Sequence, residues 1–102
     1  MSDGKTMPLG DGDIAALADT LLEDRRYLDA SALYAQLAAR DRTRTDLLAK
    51  AHYARGMYLL SQDARTEARL ELRRAVELDP NLAEAETELD EIYTIRLPRM
   101  GE

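Results

Sequence analysis

The stretch from Ala49 to Leu82, AKAHYARGMYLLSQDARTEARLELRRAVELDPNL, constrains the fold more than any other part of the chain. It reads as two helices separated by a short break at Ser61-Gln62-Asp63. Gly56 lies inside the first helical pattern, where glycine costs about 1 kcal/mol relative to alanine and so calls for a packing reason. In the second pattern Ala68, Leu72 and Ala75 recur at four- and three-residue spacing and share one face. Small residues at Gly56, Ala68 and Ala75 allow two antiparallel helices to approach closely. Pro80 follows, where one helix cannot continue but another can begin.

The preceding segment has the same design. Ile14, Leu17, Ala18, Leu21, Ala30, Tyr34 and Leu37 lie 38 residues before His52, Arg55, Gly56, Leu59, Ala68, Leu72 and Ala75. A first helix is predicted from about Ile14 to Asp24, with Asp13 as N-cap and Ile14, Leu17, Ala18 and Leu21 as its apolar stripe. A second runs from Tyr27 or Asp29 to Ala39, burying Ala30, Leu33, Tyr34 and Leu37. The third spans about Asp46 to Ser61, capped by Thr43 with Asp46 or by Thr45. The fourth spans Ala64 to Leu78 with Asp63 as N-cap. Asp79-Pro80 reads as N-cap and N1 of a fifth, reaching about Leu97. That helix has one apolar face, Leu82, Ala85, Leu89 and Ile92, and an acidic one, Glu84, Glu86, Glu88, Asp90 and Glu91. The expected architecture is all-α: five helices in antiparallel helix–turn–helix repeats, stacked as a short α-solenoid. Residues 1–12 read as a leader and 98–102 as a tail. The repeat domain covers 13–97, divided as 13–44, 45–79 and a capping helix 80–97.

Gly56, Ala68, Leu72, Ala75 and Pro80 give this chain a pattern that resembles the tetratricopeptide repeat family, whose unit is a helix–turn–helix of about 34 residues. Ala18 takes the place of the family's glycine in the first, degenerate repeat. His52, Arg55 and Leu59 replace the family's Trp, Leu and Tyr. The longer period places extra residues in Arg40–Lys50, at the start of the third helix. The resemblance implies a non-catalytic scaffold that binds a protein or peptide segment, as an adaptor or as a subunit of a larger assembly. It also implies that the first helix of each repeat lines a concave groove. In this register the groove receives Ala15, Asp19, Leu22 and Glu23, then Lys50, Tyr53, Met57 and Leu60, then Glu84, Thr87 and Glu91. The family's clamp for acidic peptides is not carried over, since Lys50 is the only base in this set. An apolar centre of Tyr53, Met57 and Leu60 ringed by acids instead suits a basic ligand with apolar anchors.

Charge narrows the alternatives. The chain carries 14 basic and 20 acidic residues, a net charge of −6, which disfavours nucleic acid and anionic membranes as main partners. Cysteine is absent, so thiolate chemistry and disulfides are excluded. The N-terminal MSDGKTMPLGDGD lacks the apolar core of a secretory signal, and no run reaches the length of a membrane span, so a cytoplasmic location is expected. No nucleophile motif or glycine-rich phosphate loop is present, so neither catalysis nor a cofactor is expected. The single histidine, His52, occupies the family's aromatic packing position, and no Cys or second His could join it on a metal. Glu84, Glu88 and Glu91 share a helix face and read as solvated rather than as a divalent-cation site. Arg65, Arg69 and Arg73 form a line on the fourth helix, read as pairing with the acidic fifth helix or with solvent rather than as a nucleic-acid contact. A second class of function is a structural homo-oligomer assembled through Tyr93, Ile95 and Leu97.

Overall fold

The computed structural model describes residues 10–96, with side chains to Ile92. Five helices follow one another: α1 (Asp11–Glu23), α2 (Tyr27–Arg40), α3 (Thr45–Ser61), α4 (Arg65–Leu78) and α5 (Ala83–Arg96). Each helix packs against the one before it, with the α3–α4 and α2–α3 interfaces the most extensive. Leu97 and the tail lie outside the described residues, as does the leader up to Leu9.

Helix α4 comes close to α3 at the glycine. A Cβ on Gly56 would stand 2.8 Å from Leu72 Cγ and 3.4 Å from the Ala68 carbonyl oxygen. The second is ordinary contact but the first is far too short, so any larger residue at position 56 displaces the Leu72 side chain where α3 and α4 cross. Leu72 and Ala68 are fully buried there, and Ile92 of α5 closes the same cluster. A second cluster joins Ala49, Ala75 and Ala85, and a third, larger one centres on Tyr34, Leu37, Ala51 and Ala54 between α1, α2 and α3.

Backbone geometry repeats at the 38-residue offset. Arg25 and Asp63 both take a left-handed conformation, with φ of 65° and 61°. Behind each, paired hydrogen bonds close the helix: Arg26 N–H to Leu21 O and Arg25 N–H to Leu22 O, then Ala64 N–H to Leu59 O and Asp63 N–H to Leu60 O. This is the Schellman ending, which satisfies the last carbonyls of a helix. The α2–α3 and α4–α5 connections match as well. Asp41 Oδ1 accepts from Thr43 N–H and Asp79 Oδ1 from Asn81 N–H, at 3.1 and 3.0 Å. Relative to α1, α3 has four more residues, one helical turn, at its start.

Several boundaries and caps differ from the sequence expectation. Helix α1 begins within the expected leader, with Gly10 as N-cap; Asp13 is its third residue and accepts the Gly10 N–H at 3.3 Å. Asp63 does not cap α4, because it is committed to the left-handed turn, and Ala64 holds the N-cap position. Neither Thr43 nor Thr45 caps α3, whose N-cap is Arg44; the Thr43 hydroxyl instead donates to Asp41. Asp79-Pro80 does not open α5, since the Asp79 side chain folds a turn over Asn81 and the helix starts at Ala83. Leu17 is not part of the buried stripe; it is 43% exposed.

Two outcomes follow from this geometry. Gly56→Leu forces four carbons into the α3–α4 crossing and is expected to cost about 1–3 kcal/mol, read as a lower melting temperature by circular dichroism. Arg25→Gly removes a left-handed L-residue that costs roughly 1–2 kcal/mol, partly offset by greater unfolded-chain entropy, and is expected to raise the melting temperature.

Candidate protein-binding groove

Side chains from α1, α3 and α5 meet along one side of the stack. In the first interval, Lys50 Nζ lies 3.6 Å from Asp19 Oδ1 and 5.7 Å from the centre of the Tyr34 ring. The Tyr34 hydroxyl donates to Asp19, so one carboxylate ties α1 to both α2 and α3. Burial first, then Asp19 and Glu23, raise the Tyr34 phenol well above its ordinary range. Ala15 and Leu22 pack against the cluster centred on Tyr34 and Leu37 rather than standing free in the groove.

In the second interval Tyr53 of α3 is half-buried and touches two core clusters. Its phenol is pushed up to about 12, by burial first and then by the carboxylates of Glu88 and Glu84 and by Tyr27. Tyr53 packs against α5 through the clusters that hold Ala85 and Ile92. Glu84, Thr87 and Glu91 are exposed, whereas Glu88 is half-buried. Burial and the neighbouring Glu91 raise the Glu88 carboxyl above its usual range.

Beyond Tyr53, Met57 and Leu60 line a cavity of about 530 Å³ together with Arg25, Tyr27, Tyr58 and Ser61. Leu60 also packs against the Leu72 cluster, so it is part core and part wall. The expected groove residues therefore form two neighbourhoods: Asp19, Glu23 and Lys50 around Tyr34, and Tyr53, Met57, Leu60 and Glu84 around the cavity and α5. Glu91 stands one turn farther along α5, beside Glu88. Sequence reasoning missed Tyr27, Arg25 and the half-burial of Glu88. Tyr27 belongs to α2, and a register that assigns only the first helix of each repeat to the groove passes over it. Glu88, at i+4 from Glu84 and i−3 from Glu91, is the signal that the sequence did carry.

The remaining candidates lie elsewhere. His52 is half-buried; its Nδ1 is 2.7 Å from Glu71 Oε1, and Arg55 Nε is 3.5 Å from the other oxygen of that carboxylate. Arg65 pairs with Asp63 at 3.3 Å rather than with α5, and Arg69 borders a small hollow next to Ile92. Tyr93 and Ile95 fall in the last turn of α5, where side chains are outside the described residues, as is Leu97. Among the described residues no group of three acidic, His or Cys side chains is placed to hold a metal ion, and no helix is long and apolar enough to cross a membrane. No protein-family model matches the chain, and no curated protein or solved structure matches it.

The raised Tyr53 phenol makes a pH test. A phenol with a raised native pKa contributes stability that is present below its ordinary range and is lost as pH climbs from that range toward about 12. Helicity of the wild-type chain is expected to fall over that window. Tyr53→Phe, which keeps the ring but has no proton to lose, is expected to shallow the loss, measured by circular dichroism against pH.

Proposed function

We propose that this chain is a non-catalytic protein-interaction module of tetratricopeptide-repeat type, binding a peptide or protein segment along the side built by α1, α3 and α5. The observation that carries this reading is the cavity of Tyr27, Met57 and Leu60 beside Tyr53. Half-buried aromatic and thioether side chains on a regular helical framework supply area for a partner at low ordering cost. The repeating turns support the family assignment, since they give each pair of helices the same entry and exit. The role is that of an adaptor or a subunit of a larger assembly.

Met57→Gln tests the reading. Glutamine is close in length and is a good helix former, so helicity is expected to stay intact. Its amide must be desolvated when a partner covers it, at a cost of about 1–3 kcal/mol. Affinity for a partner captured from the native lysate is therefore expected to fall by about 5- to 150-fold, the equivalent of that energy. Calorimetry reads the affinity and circular dichroism the fold; unchanged affinity would remove the groove from consideration.

A further inference from the structure

The two intervals of the groove balance their charges differently. Between α1 and α3, the acid Asp19 stands across from the base Lys50. A shift of 38 residues turns that pair into Met57 and Glu88. The second interval thus holds an acid on α5 and an apolar side chain on α3, with no base in either place. Among the described residues, none of the ion pairs involves Glu84, Glu88 or Glu91. Tyr53 packs against the Ala85 cluster and the Ile92 cluster, which sets its half-buried ring beside the stretch of α5 that carries Glu84 and Glu88; the cavity, with Arg25 in its lining, lies farther along α3.

Such a surface is complementary to a cationic head on an apolar stem. A carboxylate attracts the head, and the electron-rich face of a tyrosine attracts it too. Burial of Glu88 strengthens both effects, because fewer waters compete. A second copy of the chain brings a net charge of −6 and is a poor match. A polyanion is a worse one.

We infer that the groove takes a basic peptide segment, with a lysine or arginine cation against Glu84, Glu88 and Tyr53 and a nearby apolar side chain in the cavity of Tyr27, Met57 and Leu60. This rests on the interaction-module reading and names its ligand chemistry. In the first interval Lys50 and the Tyr34 hydroxyl already engage Asp19, so it adds no second cation seat.

The test uses the full chain and two sets of short fluorescent peptides, read by anisotropy at low salt. One set carries a leucine three or four residues from a lysine. The other is identical except that norleucine replaces the lysine. The lysine peptides are expected to bind about tenfold tighter, the worth of one hydrogen bond to a charged group. That advantage should vanish in the double variant Glu84→Gln/Glu88→Gln, which circular dichroism should show to be folded, since it removes like-charge repulsion. Met57→Gln should weaken both sets. If Met57→Gln weakens both sets but lysine and norleucine peptides bind equally, the cation seat is overturned and the groove stands. If Met57→Gln changes neither, or if no lysine peptide binds at millimolar concentration, the inference falls, and in the first case the groove falls with it.

Discussion

Leu72 lies against the bare backbone of Gly56, and the stack of helices depends on that contact. Any larger residue at position 56 would have to displace Leu72 from the α3–α4 crossing. With α4 drawn in, Ala68, Leu72 and Ala75 are sealed from water, and their outer side offers Ile92 and Ala85 a surface on which to dock. The position of α5 is thus inherited from a crossing one helix away. The acidic wall of the groove goes with it, because Glu84 and Glu88 are carried on α5.

Regular backbone and irregular side chains divide the work. The left-handed endings at Arg25 and Asp63, and the aspartate turns at Asp41 and Asp79, recur with matching hydrogen bonds. They fix the relation of one helical pair to the next without reference to what the groove contains. Chemistry then varies on this frame. Tyr34 occupies in the first pair the place of Leu72 in the second, and its hydroxyl reaches out to Asp19 where leucine reaches only into the core. One interval is closed by an internal network and the other is left apolar and acidic.

Much of this frame was legible in the sequence. Ala18, Ala30, Tyr34, Leu37, Gly56, Ala68, Leu72, Ala75, Ala85 and Ile92 follow helical periodicity and are buried as that periodicity requires. Helix ends were less so, for a definite reason. Aspartate serves as N-cap, as Asx-turn residue and as a tolerated left-handed residue, and all three uses look alike in sequence. Asp13, Asp63 and Asp79 were each read as caps, and each is doing something else. In the groove, the positions on α1, α3 and α5 came from the repeat register that the resemblance implies. Tyr27 did not, since its place depends on the angle at which α2 leaves the Arg25 turn. The half-burial of Glu88 likewise depends on where α5 docks, which no local pattern encodes.

In the cluster that helps hold α5, Ala49, Ala75 and Ala85 are buried and Tyr53, Val76, Leu78 and Leu82 pack against them, with Ile92 anchoring the helix farther along. Among the described residues α5 meets α4 through the smallest of the interfaces between successive helices. In a linear stack, each element is stabilised only by its neighbours. A smaller interface is the one a local opening reaches first. A ligand that bridged α3 and α5 would bind only the docked form, so part of its binding energy would be spent on the docking equilibrium. Affinity for such a ligand and protection of the α5 amides against hydrogen exchange would then be two readings of one quantity. Ala85, fully buried in the cluster that Tyr53 packs against, would tune recognition through the fraction of time the wall is in place.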